Sequence, residues 1–173
     1  MMILFDFDSE AACNSWIPVN DVVMGGVSHS RFDYVGESTG VFSGTVSLEN
    51  SGGFASVRST PSLYDLGKYA GLLLRVRGDG KKYKMNLKTE ATLDGVQYQA
   101  VFETQQNVWT EIVIPFSKFV PMFRGVPIYD SPPLDTASIC SFGLLISDKQ
   151  AGPFRLEIEL IVAKHRNGAV GKV

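Results

Sequence analysis

Two cysteines, two histidines and two tryptophans in 173 residues leave little raw material for most chemistry. Cys13 and Cys140 lie far apart and outside any C-x-x-C pair, so the expectation is two free thiols, with one long-range disulfide as the alternative. With only His29 and His165, a zinc site would need almost every histidine and cysteine to converge. No metal and no cofactor is expected, although a structural calcium held by Asp6, Asp8 or the acidic last strand stays open. Charge of one sign is also lacking: 16 Lys and Arg face 18 Asp and Glu. That balance removes the positive field on which nucleic-acid binding relies, so no nucleic-acid partner is expected. Apolar runs such as Ile112-Val113-Ile114 fall far short of the ~20 residues a transmembrane helix needs. The opening Met1-Met2-Ile3-Leu4-Phe5-Asp6-Phe7-Asp8 has no basic n-region and no cleavage site, so it reads as a first strand. The expected location is cytoplasmic, at most peripheral to a membrane complex.

Catalytic patterns are missing as well. There is no G-x-G-x-x-G, P-loop or H-E-x-x-H, and neither histidine sits in a motif with a serine or cysteine nucleophile. The 18 acidic residues make some carboxylate pair inevitable, so they say nothing about glycosidase chemistry. The expectation is a binding protein, not an enzyme.

What the chain does have is period-2 alternation between turn signals, with 45% hydrophobic residues to fill a core. Strands are predicted over 40–49, 71–77, 82–89, 96–104, 108–114, 138–147 and 154–162. The turns at Gly78-Asp79-Gly80 and Leu93-Asp94-Gly95 predict that 71–77, 82–89 and 96–104 form a meander. Its polar face would then gather Arg75, Arg77, Lys84, Asn86, Lys88, Gln97, Gln99 and Glu103, either as a solvated sheet face or as a platform for a polar ligand or protein. The hairpin turn by itself accounts for the Arg77-Gly78-Asp79 triplet. The segment 115–133, with its prolines and aromatics, predicts a packed loop with short helical turns. Other short helical candidates are Ser62–Leu66 and Ser9–Asn14, the latter capped by Ser9. One domain over 1–165 with a flexible tail over 166–173 is expected.

The most distinctive stretch is Trp16-Ile17-Pro18-Val19-Asn20-Asp21-Val22-Val23-Met24-Gly25-Gly26-Val27-Ser28. It has two readings. In one, Asn20 and Asp21 satisfy backbone amides inside a buried turn while Gly25 and Gly26 take conformations closed to other residues. In the other, Asp21 and the glycine backbone form a ligand or peptide notch walled by Trp16. The candidate binding surface combines this loop, including Met24 and Ser28, with the Gly52-Gly53-Phe54 turn. Arg58, Arg75, Arg77 and Arg124 are the arginines available for charge-assisted bonds.

The same stretch resembles the W-x-x-[VN]-N-D-x-V-M-G-G-x-S signature of the complex I intermediate-associated protein 30 family. Asn50-Ser51-Gly52-Gly53-Phe54-Ala55-Ser56-Val57-Arg58 and Arg77-Gly78-Asp79-Gly80-Lys81-Lys82-Tyr83 are similar to two further blocks of that family. Trp109, Ile114-Pro115-Phe116, Phe123-Arg124-Gly125 and Gly152-Pro153-Phe154 follow in order. The resemblance implies an all-β, jelly-roll sandwich of the galactose-binding-domain type. It also implies a non-catalytic assembly chaperone whose partner is a protein, such as a membrane-complex subunit or assembly intermediate. The alternative is a carbohydrate-binding-module-like domain that takes a polar small molecule or glycan.

Overall fold

Alternation of apolar and polar side chains commits most of the chain to extended structure, because each strand sends successive side chains to opposite faces. The computed structural model describes residues 1–21, 25–91 and 95–165. In chain order its strands are β1 (Met2–Asp6), β2 (Trp16–Pro18), β3 (His29–Tyr34), β4 (Gly40–Val46), β5 (Ala55–Ser59), β6 (Gly71–Arg77) and β7 (Lys82–Lys88). They continue with β8 (Gln97–Glu103), β9 (Trp109–Pro115), β10 (Val120–Phe123), β11 (Val126–Pro127), β12 (Ser141–Ile146) and β13 (Gly152–Lys164). One short helix, α1 (Glu10–Asn14), starts where expected: the Ser9 hydroxyl accepts from the Ala12 amide at 3.2 Å.

The strands form two antiparallel sheets. One runs β3-β4-β13-β6-β9, with β1 also paired to β13; the other runs β11-β10-β8-β7-β12-β5-β2. Tyr83, Met85 and Leu87 on β7 and Phe142, Leu144 and Ile146 on β12 face Leu72, Leu74, Leu156 and Ile158 of the opposite sheet in one shared core. Aromatic rings bridge the layers: Phe42 on β4 meets Tyr83 on β7 edge-on at 6.3 Å between centroids. The all-β sandwich with few helical turns is therefore what the chain forms.

The predicted meander is not formed. β6 belongs to the six-stranded sheet, whereas β7 and β8 pair with each other in the seven-stranded one. The Gly78-Asp79-Gly80 turn thus crosses between layers instead of closing a hairpin. A strand pattern reveals which face is apolar but not which sheet that face belongs to. Asp79 fixes the crossing: its carboxylate accepts from the Tyr83 hydroxyl at 3.0 Å, the Lys81 amide at 3.1 Å and the Arg155 amide at 2.9 Å. Burial, then the neighbouring Asp79 charge, pushes the Tyr83 hydroxyl far above its ordinary range. Gly78 has no room for a side chain, since an added Cβ would lie 2.2 Å from Thr104 Cβ. The Arg77-Gly78-Asp79 triplet is accounted for by this crossing. Tyr83→Phe, which removes the buried hydroxyl that donates to the half-buried Asp79 carboxylate, is expected to cost about 1–2 kcal/mol, measured as a lower denaturant midpoint.

The helical turn predicted near Ser62–Leu66 is absent; Tyr64 makes a bridge to Ile139 and Leu66 is fully buried. Segment 115–133 holds a 3-10 turn (Phe116–Lys118) and the small β10-β11 hairpin. Both cysteines are free, and Cys13 is buried. Burial, aided by Asp33 and Asp8, pushes its thiol up to about 11. No three His, Cys, Asp or Glu side chains converge among the described residues. Leu93, Asp94 and the tail 166–173 lie outside the described residues.

Candidate functional site

Asp21 follows strand β2 and points inward, 1% exposed, between the loop to β3 and the turn before β5. Its carboxylate is fully engaged. Oδ1 accepts from the Ser28 amide at 3.0 Å, and Oδ2 accepts from the Ser28 hydroxyl at 2.6 Å, the Gly53 amide at 2.8 Å and the Phe54 amide at 3.4 Å. Burial pushes the Asp21 carboxyl up, but the Ser28 hydroxyl and the Gly53, Ser28 and Phe54 amides outweigh it and hold the group below the usual carboxylate range. Two glycines make the fit possible: a Cβ on Gly26 would lie 2.3 Å from Asp21 Cγ, and one on Gly52 would lie 2.5 Å from Oδ2. Ser28 extends the cage, its hydroxyl accepting from the Ser47 amide at 2.9 Å.

Asn20 does the same for the neighbouring strand. Its Oδ1 accepts from the Ser30 hydroxyl at 2.7 Å and the Ser56 amide at 3.1 Å. Asn20, Asp21, Gly26, Ser28, Gly52, Gly53 and Phe54 therefore come together as expected, but as a knot that ties β2, β3, β4 and β5. The buried-turn reading holds for Asn20, Asp21 and Gly25, whereas Gly26 is not at positive φ and is required by its close approach to Asp21. Gly25 (φ 87°) and Gly53 (φ 138°) take the conformations that favour glycine. Met24 lies outside the described residues.

Trp16 does not wall a notch. It is 2% exposed, inside the core against Phe5, Phe7 and Phe32. Its inward side follows from β2 register, since Trp16 pairs with Ser59 and the outward Ile17 pairs with Arg58.

The four candidate arginines do not share a surface. Arg75 and Arg77 lie on the outer face of the six-stranded sheet, away from Lys84, Asn86 and Gln99, because their strand joins the other layer. There they sit over the Trp109 ring, at 5.4 and 5.1 Å from its centroid, and pair with Glu159 and Glu157. The Arg77 hydrogen bond leads the effects that hold the Glu157 carboxyl below its ordinary range. This is a self-satisfied ladder of charge and ring. Arg124 is at the exposed β10-β11 tip with φ 48°, its guanidinium over Phe123 at 5.3 Å. Four strand spacings, roughly 19 Å, separate β10 from β5, so Arg124 is not beside Arg58.

Arg58 is the exception, partly buried on the outer face of the seven-stranded sheet beside Gly143. Sequence reasoning missed its surroundings: Ile17, Gly143 and Leu145 share its face with Asn86 and Gln99. The available signal was the alternation Ser141, Gly143, Leu145 against the apolar Phe142, Leu144, Ile146.

Two sheets, one shared core and turns built on glycine and aspartate define a β-sandwich of the kind found in carbohydrate-binding modules. The family 11 module of Clostridium thermocellum, solved in complex with a β-1,3-1,4-mixed-linked tetrasaccharide, superposes with a TM-score of 0.68 over 95% of each chain at 16% identity. A family 29 carbohydrate-binding module superposes at 0.54, over 95% of this chain and 88% of its own, at 10% identity. The chain belongs to the complex I intermediate-associated protein 30 family, whose model matches residues 5–158. The mitochondrial complex I intermediate-associated protein 30 of Mus musculus is 29% identical over 92% of this chain and 55% of its own length. That of Drosophila melanogaster is 26% identical over 92% of this chain and 61% of its own. The chain thus spans a little over half the length of these relatives. No helix among the described residues is long and apolar enough to cross a membrane.

Proposed function

We propose that the chain is a non-catalytic binding domain that serves assembly of a respiratory or related membrane complex by holding a subunit or assembly intermediate. The family match across residues 5–158, with relatives named for complex I intermediates, carries this reading. Site chemistry supports it. Asp21, the carboxylate at the centre of the signature loop, has both oxygens committed to Ser28, Gly53 and Phe54, so it is built to hold backbone and not to move a proton. The domain acts from the aqueous side, peripheral to the membrane. A polar small molecule or glycan is the weaker alternative: Trp16 is buried and Trp109 is covered by Arg75 and Arg77, which removes both tryptophans as stacking rings and leaves the loop residue Tyr129 as the most exposed aromatic among the described residues.

Affinity purification of the tagged chain from native membranes tests the reading. Complex I subunits are expected to be enriched several-fold over a tagged, unrelated β-sandwich. Their absence from the eluate, with the bait intact, would overturn it.

A further inference from the structure

Strand register draws one outward row across six strands of the seven-stranded sheet. Ile17 pairs with Arg58, Arg58 with Gly143, Gly143 with Asn86, Asn86 with Gln99, and Gln99 with Val120. At ~4.8 Å per strand the row is roughly 24 Å long, about the span of seven residues of extended peptide. Its ends are aliphatic and exposed, Ile17 at 55% and Val120 at 46%, while its middle is polar and recessed: Arg58 and Gln99 are half-buried, and Gly143 and Asn86, the latter 7% exposed, form the floor between them.

Arg58 gives the row its chemistry. Arg31, Arg75, Arg77 and Arg155 each reach a carboxylate. The Arg58 side chain makes no hydrogen bond or ion pair with any described residue, although it is partly buried. Burial pulls its guanidinium below its ordinary value, opposed by Cys140. No member of the row is acidic, and the adjoining outward positions Ser56, Ser141 and Leu145 add no carboxylate. A guanidinium stripped of part of its water and given no anion is unfavourable, and a carboxylate in fork geometry relieves it.

The neighbours complete the match. Gly143 puts no side chain between Arg58 and Asn86. The Asn86 oxygen accepts from Gln99 Nε2 at 2.9 Å, which leaves the Asn86 amide hydrogens and the Gln99 oxygen as a donor and acceptor pair that a peptide group complements. No aromatic ring belongs to the row; Tyr83 and Tyr98 of these strands are buried in the core, so a sugar has nothing to stack on.

We infer that this row is a docking surface for an extended, carboxylate-bearing peptide segment of a protein partner. The carboxylate sits on Arg58, a main-chain amide on Asn86 and Gln99, and aliphatic side chains over Ile17 or Val120. The inference deepens the protein-binding reading above and rests on it for the class of partner.

The test is an NMR titration of the ¹⁵N-labelled full chain with an end-blocked heptapeptide of Leu and Glu, and with its counterpart carrying Gln for Glu. The Glu peptide is expected to shift the Gly143 amide, the Asn86 and Gln99 side-chain amides and the Arg58 Nε–H. Affinity should fall about tenfold with the Gln peptide or in Arg58→Gln, the loss of one charge-assisted pair. Val120→Asp, at an exposed end where folding is undisturbed, should weaken the Glu peptide several-fold by repulsion. Equal response to both peptides, shifts elsewhere, no response, or affinity unchanged in both variants would overturn the proposal. So would shifts at these positions produced by a mixed-linked glucan tetrasaccharide and not by the Glu peptide. Because the probe is a defined peptide, a negative titration beside positive co-purification of complex I subunits removes this surface alone. A positive titration beside negative co-purification removes the complex I partner and leaves the surface.

Discussion

Replacing Asp21 with Asn is expected to destabilise the fold by about 3 kcal/mol at neutral pH, in the range for removing a buried charge from its hydrogen-bond partners. Asn keeps one acceptor oxygen and puts an NH2 where Oδ2 now accepts from the Ser28 hydroxyl and the Gly53 and Phe54 amides. Donor then faces donor in a buried space. At roughly 2–4 °C per kcal/mol for a chain of this size, the melting temperature should drop by about 6–12 °C. The effect should also depend on pH. The folded-state pKa of Asp21 lies below its unfolded value, so its contribution is fully present above the unfolded value of about 4 and is lost as pH falls through the folded one. Denaturant midpoints of wild type and Asp21→Asn should therefore differ most at pH 7 and converge toward pH 3. Gly26→Ala attacks the same cage, its Cβ 2.3 Å from Asp21 Cγ, so the double variant should lose less than the sum of the two. An Asp21→Asn midpoint equal to wild type at pH 7 would mean that the carboxylate is not the structural tie described above.

Trp16 offers the second large effect, with a contrast built in. Trp16→Ala empties a site enclosed by Phe5, Phe7 and Phe32 and should cost about 4 kcal/mol, as large-to-small core changes do. The indole Nε1 is buried without a hydrogen-bond partner among the described residues. Trp16→Phe removes that unsatisfied donor while keeping a ring, so it should cost about 1 kcal/mol, with the lost volume partly offset by the relieved desolvation. Chemical denaturation of the two variants separates these outcomes. Similar losses for Phe and Ala would show that the indole is engaged in a way the packing does not account for.

Most of the strands were legible because a half-buried strand must alternate. The pattern over 71–77 and 82–89 maps onto β6 and β7 within a residue. The Ser9 cap and the tie made by Asn20 and Asp21 were legible for a related reason: a short polar side chain beside glycines has few partners except the backbone. Sheet membership was not legible. Apolar Leu72, Leu74 and Val76 on β6 look like Tyr83, Met85 and Leu87 on β7, yet they meet from opposite layers. The turn at Gly78-Asp79-Gly80 is as compatible with a crossing as with a hairpin. Arg75 and Arg77 were consequently grouped with Asn86 and Gln99, and Arg124 with Arg58, when each belongs elsewhere on the molecule. The same ambiguity hid the inward direction of Trp16, since a three-residue strand is too short to show its own alternation.

The sequence by itself determined that this chain would be a β-sandwich poor in reactive groups, and which turns would be held by aspartate and glycine. These follow from local rules that act over a few residues: alternation, capping and the conformations open to glycine. Only the tertiary structure decided that Asp21 is consumed in holding four strands, that Arg75 and Arg77 satisfy Glu157, Glu159 and Trp109, and that the Arg58 side chain finds no carboxylate among the described residues. Those outcomes depend on which strands become neighbours. Long-range pairing is settled by the total burial of both sheets at once, which no short segment carries.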